Sequence, residues 1–153
     1  MTATPPSESS APEPESDGAT APGPEGAAPR SAGRSVSVII ATRDRPEMLQ
    51  RALAGVTAQE HDGPLEVIVV YDRTDPDPAL TLDHPRFTLR VMTNQRAGGL
   101  AGARNTGITA GSADWIAFCD DDDEWLPGKL AAQFDAIDAT PGAVAACTGI
   151  FIR

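Results

Sequence analysis

The chain is poor in positive charge. Its 12 Lys and Arg residues stand against 22 Asp and Glu, a formal net charge of -10, which excludes binding to nucleic acid or anionic lipid through a general basic surface. Of the 12 basic residues only Lys129 is a lysine, a bias that reflects genome composition more than function. Cysteine is scarce: Cys119 and Cys147, both inside apolar runs, do not make a disulfide framework, and a reducing compartment is the plain reading. Cys119 precedes an acidic run, yet its expected role is a small hydrophobe at a strand end. No apolar stretch reaches the length that spans a bilayer. The opening MTATPPSESSAPEPES has neither a basic start nor an apolar segment, so it is not read as a secretory signal. These absences predict a cytoplasmic protein, with peripheral attachment to a membrane as the second option. A glycine fingerprint after the first strand is also missing. ATRDRP stands there, which sets aside a dinucleotide-dependent oxidoreductase.

What is present divides into two parts. Residues 1–34 are Pro, Ser, Ala, Glu and Gly with almost no aliphatic side chain larger than alanine. Such a segment cannot bury enough surface to offset its ordering entropy, and a disordered, passive tail is expected. Order is expected from Ser35 to the end at Arg153. VSVIIA (36–41) and LEVIVVY (65–71) are β-branched runs of the kind buried on both sheet faces. Between them Pro46 suits a first helical turn and Asp44 an N-cap, with Met48, Leu49, Ala52, Leu53 and Val56 on one face. Residues 87–92 read as a third strand, LAGARNTGITAG as a small-residue helix ending near Gly111, and ADWIAFC (113–119) as a fourth strand. A further helix is predicted from Leu126-Pro127, with Leu130, Phe134 and Ile137 on one face, and a fifth strand over 143–152. Alternating strands and helices joined by right-handed crossovers predict an α/β sandwich with a mainly parallel sheet.

In such a sheet, ligands bind beyond the carboxyl ends of the strands. Three loops leaving those ends are polar: Thr42-Arg43-Asp44-Arg45, Asp72-Arg73-Thr74-Asp75, and Asp120 to Glu124. Four adjacent aspartates at the end of a buried strand repel one another unless a cation neutralises them, and Mg²⁺ or Mn²⁺ would suit them. On its own an acid run reads equally well as a solvated turn; its place after WIAFC favours a metal site. Asp72 can accept from a nucleobase N–H, or merely start a turn. Arg104 can approach a diphosphate, or form a structural ion pair with the acidic run. Trp125 and Leu126 read as cover for the core edge, and His61 and His84 carry no catalytic role.

The runs SVSVIIATRDRPEMLQRAL, VIVVYDRTDPD and AGGLAGARNTGITAGSADWIAFCDDDDEWLPGKL together resemble glycosyltransferase family 2 over residues 35–153. The last is similar to that family's Gly-x-x-x-Ala-Arg-Asn-x-Gly helix and Leu-Asp-x-Asp-Asp signature. The resemblance implies a Rossmann-like GT-A α/β/α sandwich, here a truncated one. It implies that Asp72 recognises the base, usually uracil, and that Ala41, Thr42 and Arg43 lie along base and ribose, with Arg104 near the phosphates. Asp120 and Asp122 would end the DxD element, Asp122 being the direct ligand of a divalent cation, while Asp121 and Asp123 assist by charge or hydrogen bonding. Arg43-Asp44 stands where the family has Tyr-Asn, and Tyr71 and Arg73 replace its usual Asp and Gly. The identity of the nucleotide is therefore left open.

The implied chemistry is inverting sugar transfer from a nucleoside diphosphate sugar, UDP-linked by the family's habit, to an unknown acceptor: a glycan, a lipid or a small molecule. The family's general base follows the fifth strand, so the catalytic base is expected beyond the C-terminus. No aspartate of this chain is assigned to that role. A missing C-terminal half, or a partner chain, would supply it. An open sheet edge or apolar patch and poor stability in isolation are expected. The alternative is a catalytically inactive truncated fragment that only binds metal and nucleotide.

Overall fold

The computed structural model describes residues 33–150, apart from 81–83 and 85. Seven elements follow in the order β1 (Val36–Thr42), α1 (Pro46–Thr57), β2 (Leu65–Tyr71), β3 (Phe87–Thr93), α2 (Leu100–Ala110), β4 (Trp115–Asp120) and α3 (Lys129–Ala139). The four strands form one sheet in the order β3-β2-β1-β4, and every neighbouring pair is parallel. Parallel pairing places all four carboxyl ends on one edge. Thr42 lies opposite Tyr71, and Ala41 opposite Asp120.

The two faces are covered separately. Val36, Val38 and Ile40 of β1 and Val67 and Val69 of β2 face α1 and α3, packing with Leu49, Leu53, Val56, Leu130 and Phe134. Ile68 and Val70 alternate to the other face, against Ala103 of α2. Each large aliphatic removed from water here contributes roughly 1.5–3 kcal/mol. Apart from Ser37, Thr42 and Glu66, the two central strands are therefore apolar on both faces.

Several expectations need correction. Asp44 does not cap α1. The N-cap is Arg45, without a side-chain cap bond, and Asp44 instead turns the chain at φ 54°. Aspartate tolerates that left-handed turn, and the residue before Pro46 is itself barred from helical geometry. Met48 is exposed, as is Leu126 at 59%, so neither covers the core. The third helix begins at Lys129, because Lys129 N donates to Leu126 O in a turn that precedes it. Residues 143–150 form no strand, and 151–152 lie outside the described residues. The tail expected over 1–34 also lies outside them, except for its end. There Arg34 is ordered: it donates to Asp138 Oδ1 at 2.6 Å and sits 4.8 Å over the Phe134 ring. The expected open edge is present, since β4 pairs on one side only among the described residues and exposes Ile116 and Phe118.

At the amino end of the sheet, Glu66 of β2 is nearly buried, with 12% of its side chain exposed. It accepts from Ser37 Oγ (2.8 Å), Arg90 Nη1 (3.0 Å), Ser112 N (3.1 Å) and Ser112 Oγ (3.2 Å). Burial alone would raise its pKa, but these donors outweigh burial and hold it below the ordinary 4.5. A depressed carboxylate stabilises the fold above the unfolded pKa and loses that contribution as pH falls through the folded one. Glu66→Gln is accordingly expected to cost about 1–2 kcal/mol at pH 7. In urea titrations the gap between the two proteins should narrow below pH 4.5. A gap that stays constant with pH would assign the loss to shape rather than charge.

Candidate functional site

Two polar groups stand at the carboxyl edge of the sheet. The first joins the ends of β1 and β4. Thr42 Oγ1 donates to Asp121 Oδ2 at 2.8 Å, and both residues are buried. Arg45 reaches across from the start of α1, its Nη1 lying 3.2 Å from both Asp121 Oδ1 and Asp122 Oδ2. Arg104 of α2 pairs with Asp120 Oδ1, its guanidinium carbon 5.3 Å from the centre of the Phe118 ring. Both readings of the acidic run thus find footing. Three of its carboxylates meet arginines, as a structural cluster would. Asp120 and Asp122 nonetheless keep 40% and 54% of their side chains exposed, while Asp121 keeps 9%. Self-repulsion persists in the run: burial, then the charges of Asp120 and Asp122, push the Asp123 carboxyl upward.

The second group joins β2, β3 and the start of α2. Asp72, buried at the end of β2, accepts from Asn94 Nδ2 at 2.8 Å and from Gly99 N at 2.9 Å. The Asn94 amide and the Gly99 N–H hold Asp72 below the usual carboxylate range, against burial; the Arg73 and Arg43 charges add to them. Thr106 closes the loop, its hydroxyl 3.0 Å from Asn94 Oδ1. Beside this arrangement opens a cleft of about 360 Å³, lined by Asp72, Arg73, Asp75, Asn94, Arg96 and Gly98 among others.

The sequence-predicted residues therefore divide. Thr42, Arg104, Asp120, Asp121 and Asp122 come together, and Asp72 stands with the cleft on the β2–β3 side. Ala41 lies within the β1 ladder opposite Asp120, and Arg43 is exposed, 3.7 Å from Asp44. Arg45 was named only as part of a polar loop, without a role, and Asn94 was not anticipated. Asn94 directly follows β3 and Arg45 caps α1, each close to a predicted site residue, and the neighbouring-strand relationship is the signal that could have found them. Cys119 behaves as expected of a buried hydrophobe: burial, then the Asp123 charge, pushes its thiol up to about 12.

A divalent ion can be tested against this donor set. Asp120 and Asp122 offer hard carboxylate oxygens that water already reaches. Among the described residues no three His, Cys, Asp or Glu side chains converge to cage an ion. An ion there would draw the rest of its shell from phosphate and water, as Mg²⁺ and Mn²⁺ commonly do. The residues fit such a shared site and do not fit a closed one.

A family model described as Glycosyl transferase family 2 matches residues 37–153. Succinoglycan biosynthesis protein ExoO of Rhizobium meliloti (strain 1021) is 34% identical over 111 residues, 72% of this chain and 32% of that protein. The UDP-Glc:alpha-D-GlcNAc-diphosphoundecaprenol beta-1,3-glucosyltransferase WfgD of Escherichia coli is 30% identical over 98 residues, 64% of this chain and 39% of its own. The mannosyltransferase PcManGT from Pyrobaculum calidifontis, solved in complex with GDP-Man and Mn2+, has a TM-score of 0.53 at 22% identity. That match covers 67% of this chain and 32% of the other. The chain spans 32–39% of the length of these curated relatives.

Proposed function

The chain belongs to glycosyl transferase family 2, and on that premise we propose that its sheet edge binds the donor of a sugar transfer, a nucleoside diphosphate sugar. The fold is the GT-A α/β sandwich that the resemblance implied. In this reading the base lies in the cleft beside Asp72, with Ala41, Thr42 and Arg43 along base and ribose. The diphosphate extends toward Arg104 and the acidic run. Asp122, with Asp120, holds a divalent cation, and Asp121 supports them through Thr42 and Arg45. The observation that carries this reading is the placement of a carboxylate-bearing cleft and an exposed carboxylate pair on one edge of a parallel sheet.

Bond cleavage at the anomeric carbon leaves negative charge on the departing diphosphate. Asp122 and Asp120 would hold a divalent cation there, which would supply Lewis-acid stabilisation of that charge. Arg104 adds a fixed positive group where the charge develops, positioned by its pair with Asp120. Transfer with inversion requires a base within hydrogen-bond reach of the acceptor hydroxyl. We assign that role to none of Asp72, Asp120, Asp121 and Asp122, because each is held by a partner on the donor side. UDP is the first donor nucleotide to test, since WfgD is named for UDP-Glc. The same name carries a lipid-linked acceptor, which makes a lipid diphosphate acceptor and work at a membrane surface the extension to test second.

Calorimetric titration of UDP into the chain, with and without Mn²⁺, tests the donor site. Binding that needs the metal is the expected result. No heat from a folded chain, in either condition, would sink the reading.

A further inference from the structure

Arg73 stands at φ 59°, in the left-handed region that glycine enters freely and a long side chain enters only at a cost. Its guanidinium lies directly over Gly98, where an added Cβ would collide with it. Gly98 thus makes room for Arg73, and the two residues are walls of one cleft. Among the described residues the Arg73 guanidinium has no hydrogen-bond or ion-pair partner. Arg96, the other arginine of the cleft, donates to Thr109 Oγ1 at 3.1 Å. A strained backbone, a space cleared by glycine and an unspent five-donor fork therefore meet at one residue.

Resting on the donor-site reading, we propose that Arg73 is a specificity-determining residue that donates to a ring carbonyl of the donor's base. Beside it stands Asp72. Its oxygens each keep a lone pair beyond the bonds from Asn94 and Gly99. An arginine donor next to a carboxylate acceptor matches the N–H and C=O edge shared by uracil and guanine. Cytosine and adenine present an amino group and a bare ring nitrogen instead, which would set donor against donor and acceptor against acceptor. The cleft therefore selects keto bases over amino bases, Arg73 reading the carbonyl and Asp72 the neighbouring N–H. Its 360 Å³ lies within the usual range for small-ligand sites, about 300–1,000 Å³.

The test titrates UDP, GDP, CDP and ADP, each with Mn²⁺, into the parent chain and into Arg73→Gly. Glycine suits the left-handed turn, so the variant is expected to fold and to melt at a higher temperature. The parent should bind UDP or GDP about tenfold or more tighter than CDP and ADP. Arg73→Gly should narrow the gap between keto and amino bases to the part that Asp72 supplies, and the UDP and GDP arms tell which keto base is preferred. Equal affinities in the parent, or a preference that survives undiminished in Arg73→Gly, would overturn the role of Arg73 while leaving the donor site standing. No nucleotide binding by the folded parent overturns the donor reading itself.

Discussion

Asp122→Ala is expected to weaken UDP binding in Mn²⁺ by about a hundredfold, roughly 2.7 kcal/mol, and to leave the melting temperature unchanged. The separation of the two effects follows from exposure. Asp122 keeps 54% of its side chain in water and meets only Arg45, itself half exposed, so its removal costs the fold little. Asp121, one residue away, has the opposite character. It is 9% exposed, and its loss would strand the buried Thr42 hydroxyl. Asp121→Ala should therefore lower stability by about 2 kcal/mol before any nucleotide is added. Thermal melts and calorimetry on both variants distinguish the roles. If Asp122→Ala binds UDP like the parent chain in Mn²⁺, Asp122 is not the metal ligand. If Asp121→Ala melts with the parent, the link between β1 and β4 is not structural.

The contrast between these neighbours also shows what a sequence reveals. The strands were legible because Val and Ile runs of 36–41 and 65–71 have only one economical place, the middle of a parallel sheet. Parallel pairing then put Thr42, Asp72 and Asp120 on one edge without further information. Which aspartate of the run faces inward was not legible. Five consecutive acidic residues carry no periodicity, and Asp121 is buried because the chain turns there, with Asp123 N donating to Asp120 O. The roles of Arg45 and Asn94 were missed for a related reason. Arg45 meets Asp121 across a separation of 76 residues, and Asn94 meets Asp72 across 22. Such contacts follow from strand order, which local pattern does not encode. Arg73 is the reverse case: its departure from the family's glycine was visible, but the positive φ that gives it meaning was not.

Gly107→Leu should cost the fold about 3 kcal/mol, with loss of nucleotide binding at temperatures where the parent chain binds. Gly107 is buried on the face of α2 that rests on β1. A Cβ there would sit 2.5 Å from Ile39 Cγ2 and 3.1 Å from Ile39 Cγ1. Ile39 is itself 1% exposed in the middle strands, so it has no space to yield. The helix must lift instead. It carries Gly99, whose N–H lies just ahead of its first turn on Asp72, and Arg104, which pairs with Asp120. One added side chain at the core end of α2 would thus loosen both halves of the site together. Gly128→Ala serves as the control, since a Cβ there meets nothing within 4 Å. Denaturant midpoints and UDP titrations should move in parallel for Gly107→Leu and stay put for Gly128→Ala. A Gly107→Leu chain of parental stability would show that α2 is not seated on β1, and the coupling between its packing and the site would fall with it.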